Sequence, residues 1–242
     1  MSNTIQKFNG FNPGIFSFFR SLERNNTLEW FSKNRKQYQD VLVKPAREYV
    51  EAIGEFFNHL NPAIRTEPKF NKTLMRINKD MRFARGTPYR TYFLIHFGRF
   101  KMDSEFFIYF DKYGMEYGMF LNNSESNDLW FKINLEKYKK EIILTFDKYQ
   151  LNNKFDLCTF GQDIDLVQRR VDLNKHFKKL SDLEYILLQK NYDKKKKSIM
   201  SPNFLNESIR TFSKLYPVYC FAISPDPLKL IQDFEERMGI AY

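Results

Sequence analysis

The spacing of apolar residues shifts along this chain from a helical period to short aromatic-rich runs and back, which constrains the fold more than any other feature of the sequence. Up to Leu60 the apolar positions recur three, four and seven apart. Phe16, Phe19 and Leu22 form a stripe behind Asn12-Pro13, where Asn12 is placed to cap a helix that begins at Pro13 and ends near Asn25. Asn26, with Glu29 three residues on, has capping-box spacing ahead of Trp30, Phe31, Tyr38 and Leu42. Pro45 opens or kinks a third helical stretch in which Ala46, Tyr49, Val50, Ile53 and Phe57 share one face.

From Leu74 the pattern shortens. Tyr92 to Phe97 and Phe106 to Phe110 are aromatic-rich runs bounded by Gly and charged residues, and they read as strands. Asp111 to Gly114 reads as a hairpin turn into a further strand, Met115 to Leu121. Helix is expected again over roughly Ser126 to Tyr149, from Ser181 with Glu184 as a capping box, from Ser201-Pro202 ahead of Leu205, Ile209 and Phe212, and from Ser224-Pro225. Tyr216 to Ile223 reads as an additional strand, and Gln150 to Asp165 and Asn191 to Ser198 as polar connections. The expected fold is α+β, an antiparallel β-meander sheet packed with N-terminal and C-terminal helices, in a single domain over residues 1–242.

Composition narrows the class of function. A hydrophobic content of 43%, with 26 Phe and 14 Tyr, excludes a compositionally disordered chain. The formal net charge of +10 favours phosphate-rich partners, although part of it lies in the Lys194 to Lys197 run, the usual makeup of a solvated loop. No segment approaches the roughly 20 apolar residues of a membrane span, and the N-terminus lacks an apolar stretch of signal-peptide length, so a cytoplasmic protein is expected. Cys158 and Cys220 stand far apart with no neighbouring Cys or His at metal-ligand spacing, which fits a reducing compartment. His59, His96 and His176 share no ligand spacing, and no Gly-x-Ser-x-Gly elbow, Walker A motif or dinucleotide fingerprint occurs. Asp163-x-Asp165 offers two carboxylates for Mg²⁺ in a polar loop, too few for a site. No cofactor is therefore expected, and whether the chain is an enzyme stays open.

The densest chemistry lies between Lys72 and Arg90, where cations at Lys72, Arg76, Lys79, Arg82, Arg85 and Arg90 surround one acid, Asp80, and the aromatics Phe83 and Tyr89. If Leu74 to Asn78 is a strand, Arg76 faces away from Met75 and Ile77. One reading is an anion site in which Arg76, Lys79, Arg82 and Arg90 hold phosphate or carboxylate, Asp80 orients an arginine and Tyr89 supplies a hydroxyl or a stacking face. The other is structural: Asp80 pairs with Arg76 or Arg82 to pin a loop, while Phe83 and Pro88 plug the core. A second cluster, Asn25 to Arg35, is explained locally by capping and packing unless Arg35 or Glu29 faces the same cleft as Arg76. The expected partner is an anionic small molecule. A nucleic acid is the alternative, supported by charge and aromatics, and a non-enzymatic interaction scaffold is a third reading.

Asn25-Asn26, Glu29-Trp30-Phe31, Arg35 and Tyr38, followed by Arg76, Asp80, Arg82-Phe83 and Pro88-Tyr89, resemble the bacterial family catalogued as domain of unknown function 2461. The resemblance extends to Phe8-x-Gly10-Phe11 at the start and to Ser201-Pro202-x-Phe204 through Phe212 to Pro217-Val218 at the end. The chain departs from the pattern at Lys79, where a second Arg is usual, and at Ala84 to Thr87; Lys190 sits where a lysine is usual. The resemblance implies a fold and a motif but no reaction.

Overall fold

In the computed structural model, described over residues 8–83, 85–126, 128–161, 163–193 and 197–239, the change of period seen in the sequence becomes a change from helices to an antiparallel sheet and back. Helix α1 spans Gly14–Arg24 and buries Ile15, Phe16, Phe18, Phe19 and Leu22; Asn12 Oδ1 accepts from Gly14 N at its entry. Helix α2 spans Leu28–Tyr38, and its cap is Thr27 rather than the expected Asn26: the Thr27 side chain accepts from Trp30 N. Asn26 is committed elsewhere, as described below.

Between α2 and α3 (Lys44–Leu60) the chain does not break but widens into a π-helical turn, Gln39–Val43, in which Lys44 N donates to Gln39 O five residues back. Pro45 supplies the physical reason. It has no N–H to donate, and its ring would collide with the carbonyl of Val41 in a regular α-helix, so a wider turn relieves both. The face of α3 read from the sequence is buried: Ala46, Tyr49, Val50, Ile53 and Phe57 have no solvent exposure.

Six strands follow: β1 Phe93–Phe97, β2 Glu105–Phe110, β3 Gly114–Asn122, β4 Asp156–Phe160, β5 Ile164–Gln168 and β6 Tyr185–Asp193. They form one antiparallel sheet in the order β1-β2-β3-β6-β4-β5, so the fold is α+β as expected. The Asp111 turn is held by its carboxylate, which accepts from Tyr113 N and Gly114 N at 2.6 and 3.0 Å. Gly118 in β3 lies so close to β6 that a Cβ there would stand 1.9 Å from Leu188 O.

Several expectations fail in the second half. The helix expected from Ser126 to Tyr149 is two helices, α4 Phe131–Lys137 and α5 Lys139–Lys148, with Tyr138 leaving helical geometry between them. Gln150 to Asp165 is not only a connection, because it contains β4 and opens β5. Ser181 ends α6 (Leu173–Ser181) instead of capping a new helix, and the run after Glu184 is β6. Tyr216 to Ile223 is not a strand but the second half of α7, Asn203–Ile223, a helix with Pro217 inside it. Tyr216 and every residue from Val218 to Ile223 is buried, and a run buried all round carries no period by which helix and strand are told apart. Helix α8 spans Pro227–Met238, capped by Asp226 rather than opening at Ser224-Pro225. Lys194 to Lys196 lie outside the described residues, and Lys197 begins a short 3-10 turn, Lys197–Met200.

Two compact units can be distinguished. The first takes the described residues of Met1–Phe97, Phe107–Tyr117 and Asn191–Ile209. Its core is aromatic: Phe11 packs against Tyr49, Phe110 and Phe204 at centroid distances of 5.4, 4.7 and 5.7 Å. The second takes Gly98–Phe106, Gly118–Lys190 and the described residues of Arg210–Tyr242. In its interior the Arg99 guanidinium forks onto the fully buried Asp103 carboxylate at 2.8 and 3.0 Å, and Phe106 packs on Phe212 and Tyr219. Among the described residues no helix is long and apolar enough to cross a membrane, and no group of His, Cys, Asp and Glu is arranged to hold a metal ion, Asp163 and Asp165 included.

Candidate functional site

Leu74 to Asn78 is not a ladder strand. It pairs through isolated bridges, Leu74 to Ile95 within β1 and Asn78 to Tyr89 in the segment that leads into β1. Arg76 and Asn78 are exposed and Ile77 is buried, so Arg76 projects outward, but the expected alternation fails: Leu74, on the Arg76 side of a regular strand, is buried and Met75 only half-buried. The pairing is closed by Lys79 N to Pro88 O at 2.8 Å and Arg90 N to Ile77 O at 2.7 Å, which flank the Asn78–Tyr89 bridge. Tyr89 therefore turns its own N–H and C=O away from Asn78, as the non-hydrogen-bonded member of an antiparallel pair does.

Asn26 takes both groups. Its Nδ2 donates to Tyr89 O at 2.8 Å and its Oδ1 accepts from Tyr89 N at 3.0 Å, so one primary amide acts as a strand partner of one residue. This contact docks the start of α2 on the Tyr89 segment, and the Phe31 ring stacks on the Tyr89 ring with centroids 4.2 Å apart. The two clusters distinguished in the sequence thus meet.

Where they meet lies a cavity of about 490 Å³. Arg35 and Gln39 enter it from α2 and the π turn, Arg76 and Asn78 from the bridged segment, and Tyr38, Tyr89 and Phe70 supply aromatic wall. Among the described residues, its lining contains no Asp, Glu, His or Cys. The Arg76 guanidinium carbon sits 5.6 Å from the Phe70 ring centroid, and that of Arg47, on α3, sits 5.9 Å from the same centroid. Neither Arg35, Arg47 nor Arg76 forms an ion pair with any described residue.

The field of these cations is visible on the tyrosines. Burial pushes the Tyr38 hydroxyl well above its ordinary range, opposed by Arg47 and then Arg76. Burial likewise raises Tyr89, opposed by Arg35. Both phenols are therefore neutral near pH 7 and offer O–H groups that donate.

The remaining sequence candidates sit elsewhere. Arg90 braces the segment from behind, its guanidinium donating to Asn78 O at 2.8 Å and Arg76 O at 3.2 Å. Asp80 and Arg82 pair with each other at 2.7 and 3.0 Å on the exposed loop, and these hydrogen bonds hold the Asp80 carboxyl below the usual carboxylate range. Lys79 reaches Thr87 Oγ1 at 3.5 Å. Phe83 does not plug the core: it is 86% exposed, with the Arg82 guanidinium 5.5 Å from its ring centroid. Of the seven expected site residues, Arg35, Arg76 and Tyr89 line the cavity, and Lys79, Asp80, Arg82 and Arg90 do not. Gln39, Phe70 and Asn78 line the cavity outside the expected set, and Arg47 stands against Phe70 without lining it. Phe70 and Arg47 belong to no motif, and no local spacing in the sequence points to their meeting.

No curated protein and no solved structure matches this chain. A family model described as conserved hypothetical protein (DUF2461) matches residues 14–221, a stretch that contains every residue of the cavity wall. The chain accordingly belongs to the DUF2461 family.

Proposed function

We propose that this protein binds a phosphorylated or otherwise anionic ligand in the cleft between α2 and the Arg76 segment. The observation that carries the reading is the lining itself: Arg35 and Arg76 reach one cavity in which no carboxylate offsets them. Guanidinium groups left without an acid in a part-enclosed, aromatic-walled space present fork-shaped donors to an incoming oxyanion. The volume lies in the range that holds a small molecule. The same lining supports binding over proton transfer, since it offers cations and neutral hydroxyls but no carboxylate, imidazole or thiol to act as a base near pH 7.

The test is a thermal-shift screen of nucleotides, sugar phosphates, polyphosphate, carboxylates and short DNA and RNA against wild type, Arg35→Ala and Arg76→Ala. A ligand bound by the native state and not the unfolded one stabilises it by RT ln(1 + L/Kd), where L is the free ligand concentration. The expected outcome is a rise in Tm for wild type with a small anion, reduced in both variants, whose unliganded Tm stays within a few degrees of wild type because both side chains are exposed. Shifts that persist undiminished in both variants would place the anion elsewhere and overturn the reading. A response confined to long polyanions and lost steeply with salt would favour a nucleic acid instead.

A further inference from the structure

A third arginine, outside both the motif and the cavity lining, stands beside the cleft at Phe70. Arg47 lies on α3, one turn beyond the π segment, and its guanidinium shares the Phe70 ring with that of Arg76, at 5.9 and 5.6 Å from the centroid. Both act on the same Tyr38 hydroxyl. Two like charges gathered around one ring and one phenol repel each other, and no described carboxylate stands within ion-pair distance of either. Arg35, by contrast, acts on the hydroxyl of Tyr89. The cations therefore fall into a pair, Arg47 and Arg76 at the Tyr38–Phe70 end, and a single arginine at the Tyr89 end.

We infer that Arg47 and Arg76 together form a subsite for a phosphoryl dianion, with Tyr38 as a neutral third donor, and that the ligand is a small organic phosphate whose remaining body extends toward Arg35. This rests on the anion-binding reading and specifies its ligand class. A carboxylate has two oxygens and one charge, which a single guanidinium satisfies. A phosphoryl group has three terminal oxygens and carries about −1.5 to −2 near pH 7, matching two guanidiniums and a hydroxyl.

The test is calorimetric titration of the full chain with phenyl phosphate, with benzoate as the carboxylate control, at pH 5 and pH 7. The charged and titratable groups at the subsite are Arg47, Arg76, Arg35, Tyr38 and Tyr89, and none of these types changes protonation between those pH values. Any change in affinity then reports the phosphate, whose second pKa is about 6, and dianion selection gives an affinity about tenfold higher at pH 7 than at pH 5. Benzoate is expected to bind at least tenfold more weakly at pH 7. Arg47→Ala and Arg47→Gln are each expected to weaken phenyl phosphate at least tenfold; Arg47 is exposed, and circular dichroism verifies that the fold is kept.

Phenyl phosphate and benzoate binding equally well, with no change between the two pH values and no effect at Arg47 but a loss at Arg35 or Arg76, would overturn the phosphoryl subsite and leave anion binding intact. No binding of either anion to wild type at millimolar concentration would overturn both.

Discussion

Both ends of the Asn26 side chain are spent on a residue 63 positions away, and with the Phe31–Tyr89 stack this amide joins the two walls of the cleft. Replacing it leaves the part-buried Tyr89 N–H and C=O without partners, which costs about 1–3 kcal/mol. Asn26→Ala is expected to lower stability by that amount and to abolish hydrogen-exchange protection of the Tyr89 amide. Thr27→Ala, which removes the true cap of α2, is expected to cost about 1 kcal/mol and to leave Tyr89 protected. Equal exchange at Tyr89 in both variants would show that Asn26 acts as a cap after all. The sequence led to Asn26 for the wrong reason: its spacing to Glu29 is that of a capping box, and nothing local distinguishes a capping amide from one that bridges to a distant strand. Arg90 is similar, since a guanidinium strapped to backbone carbonyls and one awaiting a ligand look alike as letters.

At the scale of elements, the π turn governs which face of α3 looks at the cleft. It holds one more residue than an α-helical path would, and one residue is about 100° of helical rotation. Deleting Val41 is expected to bring α3 into line with α2 while turning Tyr49, Val50, Ile53 and Phe57 off their buried face; the variant is expected to lose cooperative unfolding in urea. Pro45→Ala, which restores the missing donor without changing length, is expected to stay within about 1 kcal/mol of wild type. A deletion variant as stable as wild type would show that the turn is incidental. Helices with one wet face, α1 and α3, were legible from their apolar periods, and the largely buried β1-β2-β3 meander from short aromatic runs bounded by turn residues. The buried half of α7 was not, because its residues have no dry and wet side to alternate between. Strand β6 was hidden by a serine and glutamate that mimic a helix start, and β4 and β5 by the polar, exposed character of their surroundings.

Across the whole molecule, the aromatic content read from the sequence sets the response to alkali. Tyr49 and Tyr219 are fully buried and burial raises both, Tyr219 with a further push from the Asp103 carboxylate. Burial also raises the Cys220 thiol. In the unfolded chain tyrosine ionises near pH 10 and cysteine near pH 8.5. Because the folded values lie higher, the stabilisation from keeping these groups neutral is fully present below the unfolded values and is lost as pH rises from there toward the folded ones. Unfolding free energies from urea titration are expected to hold steady up to about pH 8 and to fall increasingly through pH 10, the slope approaching about 1.4 kcal/mol per pH unit for each such tyrosine above it. Tyr49→Phe is expected to shallow that decline; a profile flat to pH 11 would contradict the burial of these phenols. The strand order has a consequence in time rather than in energy. Strand β6 lies between β3 and β4 although it follows both in the chain, so until Tyr185–Asp193 leaves the ribosome the nascent protein carries two strand edges, those of β3 and β4, that only β6 can pair, and the first three strands wait for the sixth before the sheet is complete.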